Sequence, residues 1–171
     1  MKRILLLIIF VSTASLLGCR GDEFTIDLSK IKTDTNAPPV NLAADIAKGR
    51  SENKLLLLEF SSSDSCPPCI LLQQHVLATP EFEAFAKSNL VFVHLDYPLK
   101  SNLRPDTTAT NILLAQQFQV VGFPTLIALD RNGKEFWRMP AANNPDAGIP
   151  VLCFYPTNFI NLLAGVKQKE Q

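Results

Sequence analysis

Two cysteines separated by two prolines, Cys66-Pro67-Pro68-Cys69, are the residues of this chain best suited to chemistry. Such a pair can supply half of a zinc site, form a reversible disulfide, or occur by chance. A tetrahedral zinc site needs two further ligands. The other candidates, His75, His94 and Cys153, are scattered and make no second paired motif. A redox pair needs a thiolate, and the positive end of a helix stabilises one. Ile70, Leu72, Val76 and Leu77 follow at helical spacing, and prolines are tolerated in a first turn whose N–H groups lack partners anyway. Cys66, at the helix entrance, is then the exposed nucleophile, and Cys69, one turn in, the resolving thiol. Their i, i+3 spacing brings the two sulfurs within bonding distance. That exchange chemistry requires no metal and no organic cofactor.

The elements that must hold this pair are legible on either side of it. Lys54 to Phe60 contains four consecutive leucines, Leu55 to Leu58, the continuous apolar run of a strand covered on both faces. Ahead of it, Leu42, Ala43, Ile46 and Ala47 have the spacing of a short amphipathic helix that Gly49 is expected to end. Behind the dithiol helix, Thr79-Pro80-Glu81 restarts a helix with Phe82 and Phe85 inward, and Leu90 to Leu95 reads as the next buried strand. Tyr97 to Pro105 is a loop; Ala109, Ile112, Ala115 and Phe118 define one helical stripe. Thr125 to Leu129 is a strand, and Asn132-Gly133 is a hairpin signal leading into Lys134 to Met139. Pro140 to Pro150 is a loop, and Phe159, Leu162, Leu163 and Val166 mark a closing helix. This order implies an α/β domain: a central mixed sheet with helices on both faces, parallel first, ending in an antiparallel hairpin.

Composition bounds the function. The 171 residues carry 16 basic and 16 acidic side chains, with 47% hydrophobic residues. That excludes a disordered polyelectrolyte and leaves no electrostatic footprint for nucleic acid. Four cysteines are too few for a disulfide-dense scaffold. At the N-terminus, Lys2 and Arg3 precede an apolar run from Ile4 to Leu17. Fourteen helical residues rise only about 21 Å, short of the ~30 Å hydrocarbon core, so a secretory signal fits better than a spanning helix. The run ends in Leu16-Leu17-Gly18-Cys19, which resembles a bacterial lipobox, although Leu17 is bulkier than the usual small residue. The resemblance implies a signal over residues 1–18 and a lipid on Cys19; the alternative is an ordinary signal with Cys19 an incidental thiol. Removing Lys2 and Arg3 leaves 14 basic against 16 acidic residues. Residues 19–39 read as a polar tether, in which alternating Phe24, Ile26 and Leu28 could form a short edge strand, and 40–171 as the domain.

A dithiol between a buried strand and a helix, with Gly122-Phe123-Pro124-Thr125 further on, resembles the thioredoxin family over roughly residues 40 to 168. The stretch from the dithiol through Val76-Leu77-Ala78-Thr79-Pro80-Glu81-Phe82 to Val91-Phe92-Val93-His94-Leu95-Asp96 is similar to extracytoplasmic members, including the carboxy-terminal domain of the membrane disulfide reductase. The resemblance implies that Pro124 is cis and faces the dithiol, that the Phe123 backbone pairs with a bound substrate chain, and that Pro67 lies on the substrate side. It also implies that Glu59, allowing one extra residue, matches the family's buried acid. Such a carboxylate, its pKa raised by burial, could take the Cys69 proton; the bland alternative has Glu59 pointing to solvent. His94 matches the lysine the family places near that acid, although a lone strand histidine is commonly structural.

The function so implied is a membrane-anchored thiol–disulfide oxidoreductase facing the periplasm. Protein disulfides are its substrates, and a membrane thiol reductase is its electron donor. The rival is a binding module on the same fold, such as a copper chaperone using Cys66, Cys69 and a histidine. Two departures bear on direction. Ser65 stands where thioredoxins usually carry tryptophan, which leaves Cys66 wetter. Pro67 and Pro68 offer no N–H groups to a thiolate, and Asp64 adds a nearby negative charge; both disfavour the thiolate. A less stable thiolate makes a more reducing pair, with a potential nearer thioredoxin's ~−270 mV than the strong oxidase's ~−120 mV. Cys153 is expected to be a buried structural thiol, with a third redox thiol as the alternative. The loop from Pro98 to Pro105, bearing Lys100 and Arg104, is longer than a minimal thioredoxin needs and is a candidate for partner choice.

Overall fold

The computed structural model describes residues 33–139 and 155–170. Four strands form one sheet in the order β2-β1-β3-β4: β1 (Leu55–Ser61), β2 (Leu90–Asp96), β3 (Thr125–Leu129) and β4 (Glu135–Met139). β1 runs parallel to β2 and antiparallel to β3, and β3 pairs antiparallel with β4. The helices are α1 (Leu42–Glu52), α2 (Pro67–Leu72), α3 (Pro80–Asn89), α4 (Pro105–Gln117) and α5 (Pro156–Glu170). α2 continues as a π-helical segment, Gln73–Leu77.

β1 is central because its sequence can be. All seven of its residues are buried, and alternate side chains enter two separate cores. Leu55 and Leu57 join Leu72, Val76, Phe82, Phe159 and Leu163 on the face covered by α2, α3 and α5. Leu56, Leu58 and Phe60 join Leu114 and Phe118 of α4 on the other face, with Leu42 and Ile46 of α1 packed against them. Each fully buried leucine contributes about 1.5–3 kcal/mol, so the four-leucine run anchors both layers at once. This is the mixed sheet with helices on both faces that the sequence pattern implies.

The helix ends follow local chemistry. The Asn41 side chain accepts the Ala44 N–H at the start of α1, and Thr79 Oγ1 accepts the Phe82 N–H at the start of α3, where Pro80 opens the first turn. Gly49 does not end α1. The helix runs on to Glu52 and stops at Asn53, which adopts the left-handed conformation. Gly49 is buried instead, because a Cβ there would approach the Lys54 carbonyl at 3.1 Å. The glycine serves close approach of the helix to the chain entering β1. At the hairpin, Asp130 Oδ1 accepts the N–H groups of Asn132 and Lys134, and Gly133 takes φ +80°.

α4 meets half of the expected stripe: Phe118 and Ala115 pack against the core, whereas Ala109 and Ile112 do not. Thr107, Asn111, Leu114 and Phe118 are buried; Ile112 and Ala109 are exposed, and Ala115 is half-buried. The two inward polar residues are hydrogen-bonded. Asn111 Nδ2 donates to the Asp96 carbonyl at 2.9 Å, and Thr107 Oγ1 donates to the Ala37 carbonyl at 2.6 Å. Both bonds fix α4 to neighbouring backbone, which an apolar stripe could not do. The expected loop at 140–150, the short strand at Phe24–Leu28, Cys19 and Cys153 all lie outside the described residues.

Candidate active site

Register places three loops at one end of the sheet. β1 and β2 are parallel, so Ser61 pairs with Asp96 where both strands finish; β3 is antiparallel, so Phe60 pairs with Thr125 where β3 begins. The chain therefore leaves β1 toward Cys66, leaves β2 toward Tyr97, and enters β3 through Gly122-Phe123-Pro124, all at this end. The Phe123–Pro124 peptide is cis, as the resemblance implies. Tyr97 stacks between Phe60 and Phe123, at ring distances of 6.4 Å and 5.0 Å, and its hydroxyl donates to the Asn111 carbonyl. Burial pushes the Tyr97 phenol upward, so it stays a neutral donor. Sequence reasoning took Tyr97 only as the start of a loop; its partners lie 26 and 37 residues away, beyond any local pattern.

Cys66 occupies the N-cap of α2, with Pro67 and Pro68 in the first turn. Cys66 and Cys69 are disulfide-bonded, with their Cα atoms 5.2 Å apart. The Cys69 N–H points at Cys66 Sγ, 3.3 Å away. Two prolines thus leave one peptide donor of the first turn on this sulfur. Cys69 is 1% exposed, whereas Cys66 is partly exposed. The asymmetry suits an attacking and a resolving sulfur.

The loop before Cys66 is braced on both sides. Ser62 Oγ donates to the Tyr97 carbonyl at 2.7 Å and lies 2.5 Å from Ser65 Oγ. Ser63 donates its N–H and its hydroxyl to the two carboxylate oxygens of Asp96. Asp64 has a structural role that the sequence does not show. Its buried carboxylate accepts the N–H groups of Leu99, Lys100 and Ser101 at 2.8, 2.9 and 3.0 Å. Burial raises its pKa, but these donors outweigh that and hold it below the ordinary carboxylate value. Asp64 therefore clasps the loop after β2, and the three peptide donors hold its carboxylate in the charged form two residues before Cys66. No local signal marks this, because the donors are backbone groups 35 to 37 residues away.

Glu59 is fully buried, which removes the solvent-facing alternative. It alternates with Leu55 and Leu57 on the face of β1 that α2 covers, near the strand's end. His94 is its cross-strand partner in register, and His94 Nδ1 meets Glu59 Oε2. Glu59 Oε1 has no hydrogen-bond partner among the described residues. Burial pulls the His94 pKa down, but the Glu59 charge, their hydrogen bond and the Asp96 charge raise it on balance above 6.5. His94 reaches the surface, with 42% of its side chain exposed. It borders a shallow cavity lined also by Asp34, Pro38, Asp96 and Thr107. Among the described residues no group of three or more His, Cys, Asp or Glu could hold a metal ion, and no helix is long and apolar enough to cross a membrane.

A dithiol capping a helix, set at the end of a β2-β1-β3-β4 sheet beside a cis-proline loop, defines a thioredoxin-like protein. The chain belongs to that family: the thioredoxin-like domain matches residues 40–154. Among individual proteins it is similar to the disulfide bond reductase DsbH of Chlamydia pneumoniae, 34% identical over 97 residues, which are 57% of this chain and 58% of DsbH. It is also similar to the thioredoxin-related protein DsbJ of the same organism, 28% identical over 103 residues, 58% of this chain and 28% of DsbJ. The matched stretch thus spans little more than half of one of these curated relatives and about a quarter of the other. A solved DsbH oxidoreductase superposes with a TM-score of 0.61 at 27% identity, covering 78% of this chain and 85% of that one. A disulphide isomerase from Xylella fastidiosa shares the fold, with a TM-score of 0.51 at 20% identity over 72% of this chain and 88% of that one.

Proposed function

We propose that this chain is a thiol–disulfide oxidoreductase working in the reducing direction outside the cytoplasm, held to a membrane by a lipid on Cys19. The observation that carries the reading is the dithiol itself: a partly exposed Cys66 sulfur at a helix N-terminus, bonded to a buried Cys69. Its similarity to DsbH, named a disulfide bond reductase, supports the direction. In the reduced protein the Cys66 thiolate attacks one sulfur of a protein disulfide. A mixed disulfide forms and the first substrate thiolate leaves. Cys69 then loses its proton and attacks Cys66 Sγ; the second substrate thiolate leaves and the Cys66–Cys69 disulfide closes. Two electrons pass from the dithiol to the substrate.

Glu59 is the proposed acceptor of the Cys69 proton. It is a buried carboxylate on the α2-covered face, with one oxygen held by His94 and the other open. Phe123, Pro124 and Pro67 form the substrate side of the site. A membrane thiol reductase returns the dithiol to its reduced form. The test is trapping: Cys69→Ser stops the second step, so the chain expressed in a bacterial envelope should accumulate defined disulfide-linked adducts on Cys66. Adducts absent from Cys69→Ser, or equally abundant when Cys66 is also replaced, would refute the reading.

A further inference from the structure

Four large aliphatic side chains among the described residues are exposed: Ile112 and Leu113 on α4 and, more fully, Leu99 at 82% and Val121 at 89%. A single exposed leucine is ordinary. Leu99 and Val121 lie on loops that emerge at the same end of the sheet as the dithiol, and the loops are tied together. Tyr97, two residues before Leu99, stacks on Phe123, two residues after Val121. Leu99 is also tied to the dithiol loop, since its N–H lies 2.8 Å from the carboxylate of Asp64, two residues before Cys66. Two residues span about 7 Å at most, so the Asp64 backbone, to whose side chain Leu99 is tied, lies within that distance of the Cys66 backbone.

The Asp64 clasp is costly for a surface loop. A desolvated carboxylate is tolerated only where donors replace its water, and here three consecutive peptide N–H groups do so. Such convergence fixes the backbone of residues 99–101. What the fixed loop turns outward is Leu99.

We propose that Leu99 and Val121 are substrate-selecting contacts of the dithiol, favouring extended polypeptide segments with an apolar side chain a few residues from the attacked cysteine. The inference rests on the reductase reading above and names its substrate class. Asp64 is the positioning residue, acting through Leu99.

The test compares two disulfides with the full mature chain in reduced form. One is a peptide disulfide with leucines flanking the cysteine; the other is hydroxyethyl disulfide, which has no side chain for Leu99 to touch. Leu99→Ser should lower kcat/KM for the peptide about tenfold, the discrimination one apolar contact provides, and leave hydroxyethyl disulfide within about twofold. Val121→Ser should act in the same direction. Asp64→Asn, which weakens the clasp, should raise KM for the leucine peptide more than for a serine-flanked one. Equal losses on both disulfides, or no loss on the peptide, would overturn the inference. A wild-type chain that reduces neither disulfide would overturn the reductase reading itself, so the two failures are distinguishable.

Discussion

Replacing His94 by Asn tests the cross-strand pair directly, because Asn keeps an N–H donor near the position of Nδ1 and removes the titration. Two unit charges about 4 Å apart interact by about 1 kcal/mol in water and about 4 kcal/mol at an effective dielectric of 20. Glu59 is fully buried but 42% of the His94 side chain is exposed, and solvent screens the exposed partner. The pair then contributes ~1–2 kcal/mol with His94 charged. Its raised pKa means that the folded chain holds this proton longer than the unfolded one. The stabilisation is complete below the unfolded value near 6.5 and is lost as pH rises through the folded value. Urea denaturation of the oxidised protein, followed by fluorescence of Trp137 at several pH values, measures it. At ~1–3 kcal/mol per molar urea, the wild-type midpoint should fall by roughly 0.5–1 M across that window. His94→Asn should start lower, stay flat, and meet the wild type at high pH. Wild-type and variant curves running parallel through the window would refute the reasoning.

Other measurements probe the remaining physical claims. Equilibration with glutathione buffers should give a dithiol potential nearer ~−270 mV than ~−120 mV, since one first-turn N–H reaches Cys66 Sγ; a value above about −160 mV on that scale contradicts it. Gly133→Ala should destabilise the fold by ~1–3 kcal/mol in thermal or urea melts, because φ is +80° and a Cβ would meet Ile46 Cδ1 at 2.6 Å. Asn111→Ala should cost ~1–3 kcal/mol in the same assay by orphaning the Asp96 carbonyl. An unchanged melt in either variant would contradict the packing described.

The parts of this protein that were readable from its sequence are those written in local order. Leu55 to Leu58 is the continuous apolar run that a doubly covered strand needs, and the two prolines between the cysteines suit a first turn, whose N–H groups lack partners. Pro124 was placed through resemblance rather than spacing. What stayed hidden depends on distant partners. Asp64 looked like a charge beside a sulfur because its three donors lie on another loop. Half of the α4 stripe was misjudged because hydrophobicity ranks Ile112 above Asn111, whereas the Asp96 carbonyl needs an amide. Gly49 looked like a helix end because its packing against Lys54 is tertiary.

One contact at the edge of the domain bears on where the N-terminal segment of the chain joins it. Thr33 Oγ1 lies 2.6 Å from the hydroxyl of Ser63, three residues before Cys66, and Val40 packs into the core beside α1. The chain coming from the N-terminus is thus pinned next to the reactive sulfur, not at the far pole of the domain. Thirteen residues lie between Cys19 and Thr33, a length of chain that spans at most about 50 Å. Under the proposed lipid on Cys19, that length would keep the dithiol within reach of the bilayer surface. On the same proposal, an encounter with a donor in that membrane would be governed by effective concentration rather than bulk diffusion.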